Sequence, residues 1–562
     1  MSASSNAALQ EAIAHHAAGR IEAAARGYHA LLIEDPQNAA ALQNLGVIYE
    51  QCGQTEDAAR AFERVVELDP SSAPANANLG NALRLCGRLE AAVASYRRAL
   101  AIDGEMAMAW NNMGNALLSL GRLEEAASAY REVLSRHPEV GQTRVNLAQA
   151  LQELQRTDAA AAEYQRVIET NPDNPLAYVA LALLYAAAER DQEAKALFER
   201  ALVLDPNAAF ARLNYASSLE ALGDIDGAKR ERAVALSSQR VYAEPCAGPD
   251  KRADLLLLSV AGFGNLPADF LADRRRYGRI VLYPQHLPPE GINPPPHDLI
   301  FNLIADADVA EHALAGAEAF LAGAAKPCLN PPAKIRRTKR HLIPDLLADI
   351  PHVLVPRTVT ASRVALLGAE QKLVPYPLLV RPVGSHGGEN LAKVEDHAAL
   401  QAYLAELPDA EVYLTPFVDY CSADGYFRKY RILFVDRQVF PLHLCVDDKW
   451  KVHYYTSLMR ENQWMRDEEE RLLADIANAF PPPLLAAATA IAERLDLDYA
   501  GMDCAITQSG ELLVFEANAN MLAHLNDPIE MFPYKHRSVP RISAAFDAWW
   551  IGVRGRVKVL SK

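Results

Sequence analysis

The chain has 562 residues, half of them apolar and 23% charged, with a net charge of −15 and a mean hydropathy of −0.08. Single cores rarely grow past ~250–300 residues, so several domains are expected. The acidic balance lacks the basic footprint that a general nucleic-acid binder or an anionic-membrane binder requires.

Seven cysteines (Cys52, Cys86, Cys246, Cys328, Cys421, Cys445 and Cys504) are scattered without a C-x-x-C pair. They offer neither a disulfide framework nor a zinc site, which suits a reducing compartment. The opening MSASSNAALQEAIAHH has no basic region followed by an apolar core, as a secretory signal would. No run approaches the ~18 apolar residues of a membrane span. The expectation is a cytoplasmic protein with neither nucleic acid nor membrane as partner.

Over residues 5–240 the sequence repeats. Gly46, Gly80, Gly114, Ala148, Ala182 and Ala216 recur at a fixed spacing, as do Pro36, Pro70, Gly104, Pro138, Pro172 and Pro206. Between them, apolar residues fall at helical spacing in two segments split by a turn at Gly53, Gly87 or Gly121. The small residue lets a second helix pack closely, and an Asp-Pro pair ends that helix. This helix-turn-helix pattern resembles the tetratricopeptide repeat (TPR), in about seven units. The resemblance implies an all-α right-handed superhelix with a concave groove.

One position of the first helix reads Gln10, Asn44, Asn78, Asn112, Asn146, Ala180 and Asn214 in successive units. An asparagine amide has one acceptor and two donors, enough to hold a peptide backbone regardless of its side chains. Such a ladder is similar to that of protein O-GlcNAc transferases. Asparagine here is also close to the commonest form of the repeat, where it serves helix packing, and both readings stand. By itself this half is expected to bind a peptide or protein.

Residues 241–252 (VYAEPCAGPDKR) break the pattern and read as a linker. From 253 to 336 short apolar strands (ADLLLLSV, RIVLYP, HDLIFNLI) alternate with helix-like segments, predicting an α/β unit with a largely parallel sheet. The loop Gly262-Phe263-Gly264 is equally well a tight turn or a phosphate loop.

Residues 337–545 carry polar side chains at strand ends. PLLVRPVGSHGGENL places Arg381 before Gly384, Ser385, His386, Gly387 and Gly388. A loop of this kind lets backbone N–H groups close on phosphate oxygens, and it also suits an ordinary turn. A hairpin carries Lys429, Arg431 and His443, and Lys449, Lys451 and His453 follow it. In YAGMDCAITQSGELLVFEANAN, two strands flank Ser509-Gly510. Counting outward from a two-residue turn sets Asp503 opposite Glu516, with Asn518 on the same face. Opposed carboxylates call for a cation, and oxygen-only ligands select Mg²⁺ or Mn²⁺. The competing reading is a solvated hairpin end.

Arginine, glycine loop, hinge strand, arginine-bearing hairpin, Asp and E-x-N, in this order, resemble the ATP-grasp superfamily. The likeness is strongest to the branch of glutathione synthetase and the ribosomal-protein glutamate ligase. It implies a pre-ATP-grasp domain (253–336), an ATP-grasp domain (337–545) and a C-terminal tail (546–562).

It further implies Asp503, Glu516 and Asn518 as Mg²⁺ ligands, and Lys339 and Arg381 on the phosphates of ATP. Gly384 to Gly388 would form the covering loop, and Thr415, Phe417 and Val418 the adenine hinge. Asp419 would lie near the ribose, and Arg431 beside the transferring phosphoryl group. Arg381 stands where the family usually has lysine, and Lys429 where peptide ligases often have an acid. The implied activity is carboxylate–amine ligation through an acyl phosphate, on a peptide or protein held by the repeats. The alternatives are a scaffold with an inactive grasp domain, and a phosphotransferase or small-molecule ligase.

Overall fold

The computed structural model describes residues 3–560, apart from 249–250, 263–264, 267–269, 288–290, 368–372, 386–387, 389, 409, 520, 524 and 526. The chain divides into two compact units, one of residues 1–238 with 246–251 and the other of residues 239–245 with 252–562.

The first unit is all-helical, with fourteen helices from Ala3–Ala17 to Ile225–Ser238 among its described residues. Each helix packs on the next in sequence, which is why a period of two helices suffices to build it. The small residue of the first helix has a steric cause. A Cβ at Gly46 would lie 2.7 Å from the Phe62 ring, and at Gly80 2.6 Å from Tyr96. The aspartates that end the second helices act through their side chains. Asp35, Asp69, Asp103 and Asp205 each accept the N–H two residues on, at 3.0–3.1 Å, so an Asx turn closes the helix ahead of the next repeat. The turn inside each unit needs a left-handed residue. Gly19, Gly53, Gly87, Gly121 and Gly223 supply it in five units, whereas Gln155 and Glu189 hold the same conformation at φ 59°.

The second unit contains three sheets. The first comprises β1 (Val241–Glu244), β2 (Ala253–Leu258), β3 (Tyr277–Leu282), β4 (Leu299–Asn302) and β5 (Cys328–Leu329) in the order β1-β3-β2-β4-β5. The four strands from β2 to β5 are parallel, and β1 joins the edge antiparallel to β3. The expected linker thus begins as an edge strand. After β6 (Val353–Leu354), the strands β7 (Val359–Ser362), β8 (Leu378–Pro382), β9 (Ala392–Val394) and β10 (Glu411–Pro416) form an antiparallel sheet in the order β7-β10-β8-β9. The third sheet runs β12-β11-β13-β14-β6, with β11 (Phe427–Val435), β12 (Gln438–Asp447), β13 (Tyr499–Ile506) and β14 (Leu512–Asn518).

The residues expected as a C-terminal tail continue the helix Pro540–Leu560. Phe546 and Trp550 are buried there, and Phe546 packs on Phe301 of β4 at 5.5 Å. Buried Asp547 accepts from the Tyr277 hydroxyl and pairs with Arg252 at 3.4 Å and with Arg276. Among the described residues no helix is long and apolar enough to cross a membrane.

Candidate functional site

The hairpin β13–β14 brings Asp503 opposite Glu516 and Gly501 opposite Asn518. The turn differs from expectation. The Thr507 and Glu511 backbones pair across three residues, with Gly510 at φ 80°, and this offsets the register by one. Ile506 accordingly faces Leu512 and Cys504 faces Val514. An irregularity between Asp503 and Cys504 removes the offset before the acids are reached.

The two carboxylates have different custodians. Arg431 donates from Nε to Asp503 Oδ1 at 2.7 Å and from Nη2 to Oδ2 at 2.9 Å, and Lys429 Nζ lies 3.2 Å from Oδ2. Arg340 donates from Nη2 to Glu516 Oε2 at 2.5 Å, and Asn518 Nδ2 donates to Glu516 Oε1 at 2.7 Å. Burial would raise both acids. Arg431 and Lys429 nevertheless hold Asp503 well below the usual carboxylate range, and chiefly Arg340 holds Glu516 at about 2. Both are ionised at neutral pH. Two ionised carboxylates and an amide oxygen on one sheet face have the donor chemistry of a hard divalent ion. Among the described residues no three His, Cys, Asp or Glu side chains gather to hold a metal, so a third ligand here would be the Asn518 amide.

Arg381, at the end of β8, is buried. Its Nε donates to Ser385 Oγ at 3.0 Å and its Nη2 to the Ser385 carbonyl, so the arginine clasps the loop that follows it. These acceptors are neutral. Burial first, and then Arg340 nearby, bring the guanidinium down to about 10. Gly384 and Gly388 both have φ 78°, and a Cβ on Gly384 would meet Val309 Cγ1 at 2.4 Å, so this loop needs its glycines. His386 and Gly387 lie outside the described residues.

These groups line one cavity of about 540 Å³, walled by the second and third sheets and by loop residues that include Asn265 and 305–308. Thr415, Phe417 and Val418 line it, and Phe417 stands edge-on to Trp450 at 5.7 Å. Thr415 Oγ1 and Thr358 Oγ1 share a hydrogen bond of 2.9 Å. Lys339 and Asp419 are absent from the lining. The Lys339 ammonium pairs with Glu311 at 3.2 Å, and the Asp419 carboxylate accepts the Cys421 N–H at 3.0 Å. The cation brought to the cavity from that stretch is Arg340, the next residue. Asp306, Asp308 and Tyr413 also line it, as does His443, whose imidazole burial and then Arg431 push well below its usual range.

In the repeat unit the five ladder asparagines are half-buried. Asn112 Nδ2 donates to Asn81 Oδ1 at 2.9 Å, and Asn146 Nδ2 to Asn115 Oδ1 at 3.1 Å. The same two oxygens accept from the hydroxyls of Tyr96 and Tyr130, at 2.7 and 2.8 Å. Asn44 and Asn214 donate to the carbonyls of Ala40 and Phe210 in their own helices, each at 2.8 Å. Asn78 has no side-chain hydrogen bond among the described residues. The ladder therefore ties repeats together in its middle and turns back on its own helix at both ends. A second row, Asn81 and Asn115, completes it; its signal is the same spacing as the first row.

Family profiles for the tetratricopeptide repeat match residues 15–79, 80–121, 111–175 and 145–209, and the helical unit is a TPR array over this range. No curated protein sequence matches the chain. Among solved structures, MamA is similar at 25% identity over 31% of this chain and 94% of its own, with a TM-score of 0.30. YrrB, described as a TPR protein with an unusual peptide-binding site, is 20% identical over 33% of this chain and 96% of its own, with a TM-score of 0.30. The C-terminal part of a TPR repeat-containing protein from Cytophaga hutchinsonii is 14% identical over 41% and 93%, with a TM-score of 0.37. The repeats suggest a protein-binding scaffold.

Proposed function

We propose that the second unit is an ATP-dependent carboxylate–amine ligase of the ATP-grasp kind, and that the TPR array recruits its peptide or protein substrate. The observation that carries this reading is Arg381, a buried cation bonded to two neutral oxygens of a glycine loop, in a cavity that also presents two ionised carboxylates. A buried charge is costly without a counter-charge, and the phosphates of a nucleotide would supply it.

Asp503, Glu516 and Asn518 would hold Mg²⁺, which supplies charge neutralisation at the phosphates when bound. Arg381 would bind the phosphate chain under the loop that it fixes. Arg431, gripped on two sides by Asp503, keeps its fork in one orientation and turns its remaining N–H groups to the transferring phosphoryl group. Such preorganised charge does most of the work of phosphoryl transfer, because little covalent chemistry falls to the protein. Phe417 and Trp450 offer an apolar slot for the base.

A carboxylate activated as its acyl phosphate then meets an amine, and a closed cavity keeps water from the activated group. The test is ATP turnover by the full chain with and without a random peptide pool, with mass spectrometry of the pool. Peptide-dependent ADP formation with a mass gain of one residue, or a loss of water, is the expected outcome. ADP formation without any change in the peptides would favour a phosphotransferase, and no binding of ATP at all would leave only the scaffold.

A further inference from the structure

Behind the wall of the cavity lies a buried polar network that nucleotide binding leaves unexplained. Its centre is Lys535, 2% exposed, on the short helix Pro533–Ser538. The ammonium lies 3.1 Å from Glu469 Oε1, 3.1 Å from Asp527 Oδ2, and donates to the Tyr454 hydroxyl. The Tyr454 hydroxyl in turn donates to Asp527 Oδ1 at 2.7 Å. Glu469, fully buried, accepts from the Tyr534 hydroxyl at 2.6 Å and from the Leu444 N–H at 3.1 Å. Tyr454 alone of these reaches the cavity lining, beside His443, with the two rings 4.7 Å apart.

Among the described residues the ammonium meets two carboxylates away from water, and desolvation makes charge on any of the three groups expensive. Burial presses on both partners of the central pair, bringing Lys535 down to about 7 and Glu469 up to about 8. Asp527, which accepts the Tyr454 hydroxyl, is the carboxylate through which this cluster meets the cavity.

We propose that Tyr454 relays the proton released when the amine attacks, with Asp527 as its acceptor and Lys535 as the residue that positions the pair. This rests on the ligase reading above. In the step, the lone pair of a neutral amine forms the C–N bond at the acyl-phosphate carbon. The C–O bond to phosphate breaks, and phosphate leaves with that electron pair. The nitrogen gives its proton to Tyr454 Oη as the tyrosine's own proton passes to Asp527 Oδ1. Lys535 stabilises the charge that builds on the phenol oxygen in transit. The arrangement of base, orienting acid and fixed hydrogen bonds is that of an activated proton-transfer chain.

The experiment compares two amines in the full chain with ATP and Mg²⁺. The carboxylates are the common amino acids and a random peptide pool. Hydroxylamine, a strong nucleophile that is largely unprotonated at neutral pH, traps an acyl phosphate as a hydroxamate and needs little base assistance. Ligation between pool members, read by mass spectrometry, reports the ordinary amine. Tyr454→Phe and Asp527→Asn are expected to lower ligation at least 100-fold, within the usual range for general-base removal, while hydroxamate formation stays within about threefold. A structural role lowers both together and overturns the relay, and so does unchanged ligation in Tyr454→Phe. Hydroxamate without any ligation product in the unmodified chain overturns it too, by removing the amine step. Absence of both products from the unmodified chain instead refutes the ligase reading on which the relay depends. Lys535→Arg separates positioning from charge: recovery of ligation relative to Lys535→Met is expected, and equal loss in both overturns the role given to Lys535.

Discussion

Asp503 and Glu516 face each other across β13 and β14, yet each is held by a different arginine, Arg431 for the first and Arg340 for the second. Opposed like charges destabilise a bare sheet. Here two guanidiniums offset the repulsion, and the arrangement stays ionised without any third ligand. A cation arriving between the acids would compete with both arginines, so metal affinity and arginine mobility are linked at this hairpin.

Glu516→Gln removes the charge but keeps the shape. ATP turnover is expected to fall at least 100-fold with the secondary structure unchanged, measured as ADP release and far-UV circular dichroism. Turnover near that of the unmodified chain would remove Glu516 from the site.

The same carboxylate gives a pH signature. Its folded value of about 2 lies below the ordinary ~4.3 of an unfolded glutamate. Its contribution to stability is therefore complete above about pH 4.5 and is lost as pH falls toward 2, a term of about 3 kcal/mol. Glu516→Gln should lower the Tm at neutral pH, with the difference from the unmodified chain narrowing across that window. A difference independent of pH would mean that Arg340 does not hold the acid.

Arg340→Met and Lys339→Met separate two adjacent cations. Loss of the first leaves Glu516 buried without its partner, so nucleotide affinity is expected to fall tenfold or more. Loss of the second breaks only the pair with Glu311 at the surface, and affinity should stay within twofold. Titration with a fluorescent ATP analogue distinguishes them, and the reverse ranking would restore Lys339. Arg381→Ala should weaken the same analogue at least tenfold. Arg381→Lys should recover part of that, because lysine keeps the charge but cannot span both oxygens of Ser385.

The strand side of this site was legible because side chains alternate with period two, so Asp503, Glu516 and Asn518 must share a face once their strands pair. Their register came out right although the turn at Ser509-Gly510 was read one residue too short, since the irregularity at Asp503 cancels the offset. Lys339 was harder. In RRTKRH several cations follow one another across a helix end, and no periodicity tells which one turns inward. The tail was misjudged although FDAWWIGV carries apolar residues at helical spacing. The Lys535 network left no sequence signal: its members come from four separate segments, and only packing brings them together.

Gln155 and Glu189 occupy the turn position that glycine fills elsewhere in the array. A side chain there costs roughly 1–2 kcal/mol of backbone strain, of which glycine's greater unfolded freedom returns about half. Gln155→Gly and Glu189→Gly are each expected to stabilise the isolated thermal transition of the repeats by about 0.5–1 kcal/mol. A fall in Tm would show that these side chains make contacts worth more than the strain.

The asparagine ladder admits a test that separates packing from binding. Asn112 and Asn146 each donate to an asparagine of the preceding repeat, so their loss breaks a bond between neighbours and leaves Asn81 and Asn115 with the tyrosine hydroxyls alone. Each such bond contributes about 0.5–1.5 kcal/mol net. Replacing both by alanine should therefore destabilise the array by about 1–3 kcal/mol. Asn78 has no such bond, and Asn78→Ala should leave the Tm within about one degree. Peptide binding follows a different pattern. If the amides grip a backbone, Asn78→Ala weakens a long peptide without altering stability, and the triple variant with Asn78, Asn112 and Asn146 all replaced by alanine weakens it at least tenfold below its own Tm. ATP affinity belongs to the other unit and should not move. Peptide affinity unchanged in Asn78→Ala and in the folded triple variant would assign the ladder to repeat packing alone, and would move any peptide site to other residues of the array.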